Sequence, residues 1–308
     1  MARKLRVQYP GAIYHVMSRG DHQEVIFRDA DDRQLFLRTL DEGCIRADWQ
    51  IHCLCLMENH FHLVIETPRA NLADGMKWLL GTYTSRFNHR HRLFGHLFSG
   101  RYKAKPLDGS GTGYLKTACD YVHLNPVRAG LLTPEQPLQS YPWTSYPLYL
   151  LVPERRPPWV RTDRLLGEWG IPTDSPAGRE QFAVRMEARR TAELTGDFQE
   201  MPRGWCLGSE EFRQELLLQM TTMQGSKFAG PEWKETGQKK AEGIVAEELQ
   251  RRGWSNAVLG QLHKADPQKL AIARRLRAET TVTFRWIADH LRMGAAGYLS
   301  NCLRTTKQ

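Results

Sequence analysis

The sequence predicts an α+β fold, an antiparallel sheet with packed helices followed by an all-α C-terminal region, and three observations carry that expectation. Strand-like and helix-like segments interleave through the first 150 residues, and a proline-rich connector then gives way to helical patterning. Between them, the strand-like runs Gln50 to Met57 and His60 to Thr67 lie so close in sequence that they must form an antiparallel hairpin.

In order along the chain, Ala12 to Ser18 reads as a strand, Asp31 to Arg46 as a helix, and the hairpin strands follow. Asn71 is placed to cap a helix reaching Asn88, with Leu72, Met76, Leu79, Leu80, Tyr83 and Phe87 near helical spacing. Gly100 to Leu107 reads as a strand and Gly113 to Leu124 as a helix. The connector Val152-Pro153-Glu154-Arg155-Arg156-Pro157-Pro158 is the clearest boundary. Pro176 to Thr195, Ser209 to Met223 and Gln238 to Arg252 then read as helices, with 224–237 a loop. Pro267 to Glu279, Thr283 to Arg292 and Ala295 to Arg304 form three further helices, with Met293-Gly294 as the last turn, an arrangement resembling a helix-turn-helix. The expected division is 1–150 for a catalytic domain, 151–264 for a linker and helical region, and 265–308 for a DNA-binding domain.

Composition narrows the class. A hydrophobic content of 41% and a charged content of 25% are ordinary for a globular protein, whereas a net charge of +9 points to a polyanionic partner, nucleic acid first. No run approaches a membrane span, and Arg3, Lys4 and Arg6 precede no apolar signal segment, so a cytoplasmic location without membrane is expected. The 6 cysteines show neither CxxC pairs nor a disulfide framework and read as reduced, buried thiols.

Chemistry concentrates in two segments. Alternation on a strand projects His60 and His62 to one side and Phe61 to the other, so two imidazoles can hold one divalent ion. On the helix ending near Leu124, Tyr121 and Asn125 are one turn apart on one face, although Pro126 pushes Asn125 away from helical angles. A carboxamide with two histidines is a mixed N/O donor set suited to Mg²⁺ or Mn²⁺ rather than zinc. For Asn125 a role as cap or turn former stands beside the ligand reading, and for Tyr121 a role as a core aromatic.

Asn59-His60-Phe61-His62-Leu63-Val64, Gly100-Arg101-Tyr102-Lys103-Ala104 and Tyr121 to Leu131, containing Asn125-Pro126-Val127-Arg128-Ala129-Gly130, resemble the REP-associated tyrosine transposases, a group of the HUH single-tyrosine transposases. Gly11-Ala12-Ile13-Tyr14-His15-Val16 and Tyr141-Pro142-Trp143-Thr144-Ser145 extend the resemblance over roughly the first 150 residues. It implies a ferredoxin-like core with the histidine pair on a central strand, Tyr121 as nucleophile and Asn125 as third metal ligand. It also implies cleavage and rejoining of single-stranded, hairpin-forming DNA through a 5′-phosphotyrosine.

For the DNA path, Arg101, Lys103 and Lys105 alternate with Tyr102, and His89-Arg90-His91-Arg92 is a second cationic segment. In the tail, Tyr298, Asn301, Arg304 and Thr305 are candidates for base contact, and Lys269, Arg274, Arg275 and Arg277 for phosphates. A strand-transferring enzyme is the leading class. A non-catalytic DNA-binding regulator and a different metal hydrolase are the alternatives, and the long C-terminal addition favours a monomer over a homodimer.

Overall fold

The computed structural model describes residues 7–196, 204–223, 231–280 and 282–305, with the side chains of 221–237, 239, 278, 304 and 305 outside the description. Strand β1 (Ala12–Arg19), helix α1 (Ala30–Ala47), β2 (Gln50–Leu56), β3 (His60–Thr67), α2 (Leu72–His91) and β4 (Lys103–Leu107) follow in order. The sheet runs β2-β3-β1-β4 with every pair antiparallel, the order of a ferredoxin-like fold. The hairpin expected between residues 50 and 67 is present, with a bulge between Ile51 and Cys53.

The two sheet faces bury different helices. Tyr14, Val16, Phe61, Leu63 and Ile65 point toward α1 and α2 and pack with Phe36, Leu40, Leu79 and Tyr83. Ile13, Cys53, Cys55 and Val64 point the other way, onto α3 (Tyr114–His123) through Leu115, Ala118, Cys119 and Val122. Period-two alternation thus sends His60 and His62 to the α3 face and Phe61 to the opposite core.

Beyond α3 come α4 (Asn125–Arg128), α5 (Tyr146–Leu150), α6 (Asp163–Glu168), α7 (Pro176–Leu194) and α8 (Glu210–Met223). Their apolar side chains Tyr146, Tyr149, Leu165, Leu166, Phe182 and Met186 join the α3-side core, so the described residues between 151 and 223 fall in one compact unit with the sheet. Proline content marked a change in local conformation, and the buried residues on both sides of it decide the boundary.

Segments beyond α4 close the sheet edges, which would otherwise expose unpaired backbone groups. On the β2 edge, Ile51 N–H donates to Trp159 O and Leu56 N–H to Trp143 O, each 2.8 Å, and Leu54 N–H donates to the Ser145 hydroxyl at 2.9 Å. On the β4 edge, Leu207 N–H donates to Pro106 O and Asp108 N–H to Leu207 O, both at 2.8 Å.

The second unit holds α9 (Pro231–Arg252), α10 (Asn256–Gln261), α11 (Pro267–Glu279), α12 (Phe284–His290) and α13 (Ala296–Thr305) around Ile244, Ile272, Leu276, Ile287, Leu291 and Leu299. Of the expected loop 224–237, residues 231–237 are helical and 224–230 lie outside the described residues. Asn71 makes no capping bond to α2. Its amide instead donates to Ala47 O at 2.7 Å and accepts from Trp49 Nε1 at 3.0 Å, tying the end of α1 to the start of α2.

Candidate active site on the α3 face of the sheet

Four rings meet where β1, β3 and α3 converge. On β3, His60 and His62 lie with ring centroids 5.1 Å apart and planes nearly perpendicular. His15 of β1 stacks on His62 at 5.1 Å, and its Nε2 is 2.9 Å from His62 Nδ1. Tyr121 of α3 stands edge-on to both, 5.7 Å from the His62 ring and 6.0 Å from the His15 ring. His62 is buried, while His60 and Tyr121 are half-buried and open to solvent on one side.

Burial keeps these imidazoles neutral. Desolvation, with Lys105 nearby, draws His15 down to about 4, and desolvation with Arg19 draws His60 to about 4. His62 is pushed well below its ordinary value by burial, with His15, His60 and Arg19 adding to the effect. His60 Nδ1 is 2.7 Å from Asn59 Oδ1, an acceptor, so Nδ1 carries the proton and the Nε2 lone pair is available. When His62 Nδ1–H donates to His15, Nε2 of His62 is likewise an acceptor or ligand.

These two nitrogens suit a divalent ion. Among the described residues no group of three or more His, Cys, Asp or Glu side chains is arranged to hold a metal, so further donors have to be oxygens from a carboxamide, water or phosphate. Asn125 opens α4, is buried, and its amide nitrogen has no hydrogen-bond partner. The chain does not break at Pro126, because Leu124 keeps near-helical angles and proline occupies the first turn of α4, where its missing N–H costs nothing.

Two neighbours of Tyr121 went unassigned in the sequence. His15 is opposite Val64 in the β1–β3 register, diagonal to His62, a relation that only strand pairing establishes. Its one signal is an alternating histidine inside an apolar strand. The Arg128 guanidinium sits 4.7 Å from the centroid of the Tyr121 ring, and it forms a two-point pair with Glu193, Nε to Oε2 at 2.8 Å and Nη2 to Oε1 at 2.6 Å. His123, in contrast, is buried and bonded to the Ser145 hydroxyl at 2.8 Å, a structural role.

The expected DNA contacts divide. Lys103 and Lys105 pair with Met17 and His15 and so share the site face, and Arg101 is exposed just before β4. Tyr102 is buried in the α1/α2 core and cannot stack on a base. Its place in the alternation, opposite Lys103, turns it to a face that helices cover. In the 89–92 segment, Arg90 is held by Asp29, Asp31 and Asp32 and His91 by Asp32, joining α2 to the start of α1.

In the second unit, Arg274 is exposed and lines a groove of about 610 Å³ with Leu270, Tyr298 and Asn301. Arg275 is committed to Glu247, Glu248 and Glu279. Three carboxylates occupy its guanidinium, one of them on the buried Glu248, so Arg275 is an internal tie and not a phosphate contact. Lys269 is buried, donating to Leu259 O at 2.9 Å and Arg292 O at 3.1 Å. The side chains of Arg304 and Thr305 lie outside the described residues. None of the cysteines forms a disulfide; 5 are buried and Cys302 is half-buried, and among the described residues no helix is long and apolar enough to cross a membrane.

Residues 8–125 match the family model described as transposase, IS200-like. Among solved structures, the chain is similar to a REP-associated tyrosine transposase bound to a REP hairpin, at 13% identity and a TM-score of 0.41, over 48% of this chain and 84% of that one. No curated protein matches the chain. The matched segment carries the whole sheet, the histidine pair and the Tyr121 helix.

Proposed function

We propose that this protein is a transposase that cleaves and rejoins single-stranded, hairpin-forming DNA, with Tyr121 as the nucleophile. The observation that carries the reading is the packing of a half-buried tyrosine against a pair of histidines that burial keeps neutral, the first of which bonds Asn59 through Nδ1 and so presents the Nε2 lone pair. The family match over residues 8–125 supports the transposase role.

In the reaction, the Tyr121 hydroxyl releases its proton to solvent as its oxygen bonds to phosphorus in line with the departing bond. The P–O bond to the 3′ oxygen of the preceding nucleotide breaks, and that oxygen leaves as a 3′-hydroxyl after taking up a proton. The product is a 5′-phosphotyrosine, which conserves the phosphodiester for later attack by a 3′-hydroxyl. His60, His62 and Asn125 would hold a divalent ion, Mg²⁺ or Mn²⁺, which when bound withdraws charge from the phosphate. His15 holds His62 in the tautomer that presents Nε2, and Lys103 and Lys105 attract the phosphate backbone to the site face. In the second unit, the surface bearing Arg274, Tyr298 and Asn301 serves DNA selection.

Incubation with labelled hairpin oligonucleotides and Mn²⁺ or Mg²⁺, followed by a denaturing gel, tests the assignment. The wild type should give a covalent protein–DNA adduct that Tyr121→Phe abolishes and that chelation prevents. An adduct persisting in Tyr121→Phe would assign the nucleophile elsewhere. Binding without any adduct in either protein would favour a regulator.

A further inference from the structure

Glu193 lies in the last turn of α7, well beyond the matched family segment, and its carboxylate is completely buried. A buried carboxylate without a partner is strongly destabilising, so it needs a reason for its place. Both oxygens engage the Arg128 fork, Nε at 2.8 Å and Nη2 at 2.6 Å, and Arg189 approaches the same carboxylate at 3.6 Å from one turn earlier on α7. Such a two-point pair fixes the plane of the guanidinium as well as its position. That plane lies against the Tyr121 ring at 4.7 Å from its centroid, while His15 and His62 meet the ring with interplanar angles of 78° and 77°. The phenol is therefore held by rings from the sheet and by a cation that a third element has oriented.

We propose that Glu193 is a positioning residue for the Tyr121 nucleophile, acting through Arg128, so that helix α7 completes an active site whose other parts lie within the matched segment. The proposal rests on the reading of Tyr121 as nucleophile. Arg128 fixes the ring, and Glu193 fixes Arg128. In-line attack depends on where the phenol oxygen points, and small errors in the placement of a reacting atom cost large factors in rate. The role belongs to orientation and not to DNA affinity, because Glu193 is buried and cannot meet the nucleic acid.

The test uses the full chain with Arg128→Ala, Arg128→Lys, Glu193→Gln and the double variant Arg128→Ala/Glu193→Gln. Three quantities are measured: the single-turnover rate of adduct formation at saturating oligonucleotide, the affinity for the oligonucleotide, and the ring resonances of ¹³C-labelled tyrosine, with Tyr121 assigned by Tyr121→Phe. Phe182→Leu, a buried change on α7 that leaves the Glu193–Arg128 pair in place, calibrates the effect of lost stability. Arg128→Ala should slow adduct formation on the order of tenfold or more with affinity within about twofold. Glu193→Gln should slow it less, and Arg128→Lys should retain part of the rate by keeping a cation on the ring. The double variant should be no slower than Arg128→Ala, since one residue acts through the other. The Tyr121 resonance should move in every Arg128 and Glu193 variant and stay in place in Phe182→Leu.

Rates that follow melting temperature along the same line as Phe182→Leu, losses that multiply in the double variant, or an unmoved Tyr121 resonance would each overturn the proposal while an adduct that Tyr121→Phe abolishes still upheld the nucleophile. A wild type that forms no adduct would remove the nucleophile reading and this role with it, even if the resonance shifts showed the contact to be real.

Discussion

The carboxyl of Asp120, one residue before Tyr121, is buried with the Lys116 ammonium 3.5 Å away, and burial outweighs that attraction, pushing it up to about 6 from an ordinary 3.8. The sign of the resulting pH dependence follows. Between about 4 and 6 the folded chain binds this proton more tightly than the unfolded chain, so this group's contribution to stability is present below about 4 and is lost as pH rises through about 6. Two units correspond to on the order of 3 kcal/mol. Asp120→Asn should therefore stabilise the protein at pH 7.5 by about 1–3 kcal/mol in denaturant titrations, with the gain gone near pH 4. A gain independent of pH would show that charge burial is not its source. At this scale the sequence was informative wherever a local period sufficed, as for His60 and His62 on one strand face and Tyr121 on its helix. It was silent on His15 and Arg128, whose partners are set by strand register and by a helix far along the chain. It misled at Tyr102, since alternation tells parity but not which face the helices cover.

Strand β2 shows how an element depends on residues distant from it. Its hydrogen-bonding edge is completed by Trp143 O, Trp159 O and the Ser145 hydroxyl, while the Tyr141 and Tyr149 hydroxyls donate to Leu56 O at 2.7 Å and His52 O at 2.6 Å. Ser145 is buried and also faces His123 Nε2 at 2.8 Å, so one hydroxyl links the sheet edge to α3, the helix that carries Tyr121. Ser145→Ala removes no packing volume beyond one oxygen but leaves the Leu54 N–H and His123 Nε2 without their partner. The expected loss is about 1–3 kcal/mol by urea denaturation, against a few tenths for a surface serine such as Ser110. An equal effect at both sites would mean that water replaces the bond. The strands and most helices were legible because each is a local pattern, and α9 began earlier than expected because its first residues lack a clear apolar period. The edge partners of β2 were not legible, because a strand sequence does not say which later segment will lie beside it.

At the scale of the whole molecule, the folded unit and the family segment have different lengths. The family match ends at Asn125 and the proline-rich connector follows Leu151, yet the α3-side core draws Leu165, Leu166, Ile171, Phe182, Met186 and Leu207 from beyond both. At about 1.5–3 kcal/mol for each fully buried side chain, these contacts are worth on the order of 10 kcal/mol, comparable with the net stability of a domain. Truncation after Leu150 should therefore abolish cooperative unfolding, exposing apolar surface on α3 and the β2 edge. Truncation after Met223 should leave a chain that melts cooperatively and still forms the adduct at saturating oligonucleotide, because both cores of that unit and the Glu193–Arg128 pair are retained. What the second truncation should lose is affinity at limiting DNA, since Arg274, Tyr298 and Asn301 are removed together with their own core of Ile272, Leu276, Ile287 and Leu299. The two products distinguish the possibilities by circular dichroism melting and adduct yield. A cooperative, active 1–150 fragment would show that the added helices are an ornament on a self-sufficient sheet, whereas an inactive 1–223 fragment would place part of the active site in the second unit.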